Sequence, residues 1–139
     1  MRPPTLDLVL GKSAYPDSHP QNWVLIIFPS ATLSTDTPTP NAYYYIQGGP
    51  HQDPPTEFEA CVDIDTQFYA WTIASMEKIC SIDARDKGRV DGVVSGIEAK
   101  ASQVYVLGIL RELEGIHLVP YGTVGEWAKR VDKRLWCAK

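Results

Sequence analysis

The spacing of apolar and polar positions divides the chain into strands first and helices second. Leu6, Leu8 and Leu10 fall on alternate positions of residues 5–12 (TLDLVLGK), the period of a half-buried strand. The turn-rich run YPDSHPQ (15–21) separates it from NWVLIIF (22–28), which is continuously apolar after its first residue and stops at Pro29. A strand with no polar position is buried on both faces, so this one is expected at the centre of a sheet. SATLSTDTPTP (30–40) has the composition of a connection, and AYYYIQ (42–47) reads as the returning strand, ended by Gly48, Gly49 and Pro50. From Glu57 the period is again two. Phe58, Ala60, Val62 and Ile64 are expected inward, and Glu57, Glu59, Cys61, Asp63 and Asp65 outward. Residues 67–83 carry Phe68, Trp71, Ile73, Ile79 and Ile82 and fit one long bent strand or two pieces, of which strand is preferred.

A polar turn is expected at 85–88, and beyond it the period becomes helical. Val90, Val93, Val94 and Ile97 share one face of residues 90–98 despite two glycines, each costing about 1 kcal/mol relative to alanine. The clearest amphipathic segment is KASQVYVLGILRELEGIHL (100–118). Val106, Ile109, Leu110 and Leu113 lie on one side, with Arg111, Glu112 and Glu114 left for the other. Ser102 opens the buried face from the first turn, and Gly115 follows the last periodic residue, where a left-handed cap would fit. After VPYG (119–122), Thr123 is expected to cap a final helix with Val124, Trp127, Val131, Leu135 and Trp136 along its buried side. Runs of strands followed by runs of helices make an α+β domain. The expectation is an antiparallel sheet of about four to five strands, then about three helices, in a single domain over 1–139.

Composition changes this picture little but excludes several functions. With 139 residues, 44% apolar and 22% charged, the chain can build one hydrophobic core as a soluble globular domain. A net charge of -4 argues against a general nucleic-acid or anionic-membrane surface. The one basic cluster, Lys129, Arg130, Lys133 and Arg134, reads as a solvated helix face. The N-terminus lacks the pattern of a signal peptide, and no segment approaches the ~20 apolar residues that span a bilayer. Cys61, Cys80 and Cys137 are odd in number and widely spaced, as reduced thiols of a cytoplasmic protein would be, and suit no zinc site. Neither a phosphate loop, a dinucleotide fingerprint, HExxH nor GxSxG occurs, so no metal and no cofactor are expected.

Two short motifs carry a resemblance. NWVLIIF is similar to the His-Trp-Ala/Val-apolar strand of the lecithin:retinol acyltransferase and NlpC-type branches of papain-like enzymes. ASQVYV (101–106) is similar to their helix-opening Asn-Cys-x-x-Phe/Trp-Val. The element order between the motifs agrees, the likeness covers roughly residues 6–118, and a largely fungal set of small proteins has this style. The resemblance implies a papain-like, NlpC-type architecture in permuted order. Carried over by position, the catalytic cysteine falls on Ser102, the asparagine before it on Ala101, and the histidine on Asn22. Both chemical positions depart from the pattern. Asn22 cannot take a proton, and a hydroxyl needs a base even more than a thiol does, so the thiol mechanism is expected to be lost. His19, in the loop before Asn22, is the candidate substitute base. His51 is expected in solvent and His117 at the carbonyl end of the motif helix.

The acidic row Glu57, Glu59, Asp63 and Asp65 could pair carboxylates for a metal or for proton transfer, but charges on an edge strand also discourage edge pairing. Tyr43 and Tyr45 point one way on their strand and Tyr44 the other. With Trp23 and Gln103 beside the two motif positions, Tyr43 and Tyr45 are candidate contacts for a small organic molecule. Three functions stay open. The first is a small-molecule-binding protein or a non-thiol biosynthetic enzyme of isomerase or cyclase type. The second is a non-catalytic protein-interaction module. The third is a serine-dependent hydrolase or acyltransferase using Ser102 with His19, beside Asn22 at the former histidine position. A homodimer is open as well.

Overall fold

A computed structural model describes residues 5–13, 22–29, 42–47, 55–64 and 73–133. Five strands come first: β1 (Thr5–Ser13), β2 (Trp23–Pro29), β3 (Ala42–Gln47), β4 (Glu59–Ile64) and β5 (Ile73–Asp83). A 3-10 turn (Ala84–Asp86) leads into α1 (Lys87–Ser95), followed by α2 (Ser102–Gly115) and α3 (Thr123–Ala128). The strands form one sheet in the order β4-β3-β2-β1-β5, antiparallel at every pairing. The fold class is α+β. Expectations for His19, His51, Asp65, Phe68, Trp71, Leu135, Trp136 and the run 30–40 lie outside the described residues.

The continuous apolar run is indeed the middle strand. Trp23, Leu25 and Ile27 turn to the helix side with Leu6, Leu8, Leu10, Ala42 and Tyr44. Val24 and Ile26 turn to the opposite face and cluster with Val9 and Tyr43. α2 lays Tyr105, Val106, Ile109, Leu110 and Leu113 on the first of these faces, α1 adds Val90 and Val94, and α3 adds Trp127. The motif helix is therefore the main cover of the sheet, and its first turn meets the start of β2.

Several boundaries differ from the sequence expectation. The polar residues 85–88 are not a plain turn. The Asp83 carboxylate accepts from the Arg85 N–H at 2.9 Å, nucleates the 3-10 turn, and lets α1 begin at Lys87 instead of Val90. Gly115 is the last helical residue of α2, and the left-handed position falls on His117, with φ 65°. Leu118 N–H closes the helix by donating to Leu113 O at 2.9 Å. Thr123 is not the cap of α3. Gly122, with φ 96°, takes that place, and the Thr123 hydroxyl donates to Pro120 O at 2.7 Å. The α3 N–H of Val124 instead donates to the Glu114 carboxylate at 2.9 Å, so α2 caps α3. α3 ends at Ala128, and Val131 is buried just beyond it.

β4 departs most. Ala60 is exposed and Val62 is 46% exposed, although their alternation reads as inward. The reason is coverage. Among the described residues α2 packs chiefly over β2 and β3, which leaves Ala60 and Val62 exposed. Residues 73–83 form one strand, with two register shifts against β1.

Candidate functional site

The site is built where the first turn of α2 meets the first residue of β2. Ala101 is extended and offers no side-chain cap, while its carbonyl accepts the Tyr105 N–H at 2.9 Å and starts the helix. Ser102 follows as the first helical residue, 6% exposed, with its side chain against the sheet. Its Oγ accepts the Trp23 N–H at 3.0 Å and donates to Asn22 Oδ1 at 3.0 Å. Two residues 80 apart in sequence are thus joined directly. The hydroxyl proton rests on an amide oxygen, which has no useful basicity, so this pair has no means of generating an alkoxide.

The surroundings are closed by the chain itself. Gln103, also buried, accepts the Asp132 N–H on Oε1 at 2.6 Å and pins the segment after α3 to the start of α2. The Trp23 ring meets Trp127 edge to face, with centroids 5.7 Å apart and planes at 78°. Arg130 lies over the Trp127 ring at 4.3 Å, with Lys12 at 5.6 Å. Arg130 is held there by Glu77, at 2.9 Å to both carboxylate oxygens, and by Glu126 at 3.0 Å.

Tyr43 and Tyr45 do not join this group. Tyr43 pairs with Ile26 across the β2–β3 ladder and is buried in the opposite face of the sheet, against which Tyr45 also packs. The candidate ligand contacts are therefore split: Trp23 and Gln103 under the helices, Tyr43 and Tyr45 behind the sheet. His19 lies outside the described residues. His117 is exposed at the end of α2. Glu57 and Glu59 are exposed, and among the described residues no three His, Cys, Asp or Glu side chains gather as a metal site. An open depression of ≈ 350 Å³ lies between α1 and α2, lined by Gly92, Val93, Gly96, Ile97 and Glu112, and it excludes Asn22 and Ser102.

Sequence reasoning missed a second polar cluster. The Tyr44 hydroxyl donates to Asp91 Oδ1 on α1, and Lys87 Nζ stands 3.8 Å from the other Asp91 oxygen. Burial pushes the Tyr44 pKa far up, and the Asp91 hydrogen bond and charge add to it. The nearby Tyr105 hydroxyl is buried without a hydrogen-bond partner, and burial raises its pKa too. The signal was present: Tyr44 faces the helices, and Asp91 sits beside the buried Val90. The free thiol of Cys80 is half-buried, with its pKa raised by burial, and lies 3.8 Å from Leu118 O.

Among the described residues no helix is long and apolar enough to cross a membrane. Comparison of the chain with protein-family models, with curated proteins and with solved structures finds no match in any of the three.

Proposed function

We propose that the chain is a non-catalytic protein-interaction module on a degenerate papain-like, NlpC-type scaffold. In this reading the positions of a former nucleophile and its base have become a structural clasp. The observation that carries it is the Ser102 hydroxyl, buried, accepting from the Trp23 backbone and donating to Asn22. The closeness of the two motif positions supports the scaffold, and the Ser102 hydroxyl donating to an amide oxygen, with no basic side chain beside it among the described residues, supports the loss of chemistry. The small-molecule reading has less support, because its candidate contacts occupy opposite faces of the sheet. A reducing, cytoplasmic setting fits Cys61 and Cys80, neither of which is in a disulfide.

The test is exposure of the intact protein to a fluorophosphonate probe and to a panel of simple esters and thioesters. No labelling of Ser102 and no turnover above an S102A control are expected. Covalent labelling at Ser102 would reject the reading in favour of the serine-dependent one.

A further inference from the structure

The sheet has two outer strands, and they are protected differently. β5 carries two register shifts against β1, exposes Glu77 and Lys78 of opposite sign, and has Glu77 tied to Arg130 of the helix layer. Bulges and mixed charges of this kind blunt an edge. Among the described residues β4 shows no register shift, no basic side chain and no second neighbouring strand. It pairs with β3 in unbroken register from Glu59 to Ile64. Ala60 and Val62 are exposed on the side the helices leave bare, and Glu59 is exposed on the other. Asp63 pairs with Tyr43 and Glu59 with Gln47, which puts both acids at registers of that second face.

A second copy suits this edge badly. Antiparallel addition of β4 to itself, centred on Cys61, sets Glu59 opposite Asp63, and like charges directly opposite destabilise a ladder. A one-residue slip sets Glu59 opposite Ile64 and Asp63 opposite Ala60, and turns the two helix layers to opposite sides. A strand with basic residues at alternate positions reverses the first conflict, and apolar residues between them would lie over Val62. The chain's net charge of -4 favours the same partner.

We infer that the β4 edge is a strand-addition site for an extended segment of a partner protein in which basic and apolar residues alternate. Main-chain hydrogen bonds along β4 would hold the segment, Glu59 and Asp63 would select its basic side chains, and Val62 would seat an apolar one. The inference rests on the interaction-module reading and names the partner's chemistry.

The probe is a fluorescein-labelled, end-blocked peptide of alternating lysine and valine, followed by anisotropy with the full chain. Its counterparts are an alternating glutamate–valine peptide and a lysine–valine peptide N-methylated along the edge that faces β4. The basic peptide is expected to bind, the acidic one to fail, and N-methylation to weaken binding at least about tenfold. Glu59→Lys with Asp63→Lys should exchange the two preferences while the far-UV circular dichroism is unchanged. Equal binding of the N-methylated peptide would mean charge attraction without strand addition and overturns the proposal, whether or not the double variant folds. Self-association abolished by Val62→Lys would give the edge to a second copy and overturns it as well. Labelling of Ser102 by fluorophosphonate rejects the module reading alone, and absence of peptide binding with an inert Ser102 rejects the edge alone.

Discussion

The hydroxyl of Ser102 stands 3.0 Å from the peptide nitrogen of Trp23, 79 residues earlier in the chain, and takes its hydrogen bond. Ser102→Ala leaves that buried N–H without the Ser102 acceptor, and removes the hydroxyl that donates to Asn22. The expected loss is about 1–3 kcal/mol, the cost of an unmet buried donor rather than the smaller net value of one bond. Urea unfolding of the two proteins measures it, and a loss below about 0.5 kcal/mol would mean that the clasp is dispensable.

A papain-like scaffold makes a further demand on the same two positions. S102C alone places a thiol beside an amide, with nothing to stabilise the thiolate. Adding N22H supplies an imidazole at hydrogen-bond distance. Iodoacetamide alkylation near neutral pH is expected to be slow for S102C and markedly faster for N22H/S102C, with its midpoint moved to lower pH. Equal rates and midpoints would argue against the scaffold.

Three tyrosines resist ionisation in the folded chain. The pKa values of Tyr44, Tyr43 and Tyr105 are all raised, with burial as the main cause. A raised folded value means that the neutral form is the one folding favours. Their contribution is fully present below the unfolded tyrosine value of about 10 and is lost as pH rises above it towards the folded values. Each tyrosine kept neutral in the fold should steepen the loss by about 1.4 kcal/mol per pH unit in that window. Absorbance titration at alkaline pH should show these three of the seven tyrosines ionising only as circular dichroism reports unfolding. Smooth titration of all seven in the folded protein would contradict the burial of Tyr44.

The ends of α2 and α3 predict substitutions of opposite sign. His117 is left-handed without being glycine, so His117→Gly should stabilise by roughly 0.5–1 kcal/mol. Gly122 holds φ 96°, so Gly122→Ala should destabilise by roughly 1–2 kcal/mol although nothing crowds its Cβ position. Thermal melts decide both, and a stabilising Gly122→Ala would contradict the turn.

Patterning made the central strand legible, because WVLIIF (23–28) has no residue that favours a wet face and β2 duly has sheet neighbours on both sides. The face of α2 was legible for the same reason. Coverage was not. Ala60 and Val62 alternate as a buried face would, yet nothing local in EACVDI states how far the helix layer extends. The starts of α1 and α3 and the end of α2 escaped for a different reason. Asp83 and Glu114 cap through side chains whose roles depend on three-dimensional placement, and His117 adopts a conformation that composition assigns to Gly115. The meeting of Asn22 with Ser102 lies in neither period. Two short motifs, one opening a strand and one opening a helix, suggested it, while the Tyr44–Asp91 bond had no motif to announce it.

The place of β5 beside β1, with Thr5 opposite Asp83, sets an order of events during synthesis. Of the five described strands β1 is made first and gains both of its neighbours last, since β5 is made after the other four. The sequential hairpins β1–β2–β3–β4 can form as they emerge, but the flank of β1 stays open until residue 83 has cleared the exit tunnel. For that interval the nascent chain displays the flank of β1 as well as the outer edge of β4, so early translation is when it is most prone to pair with a wrong strand.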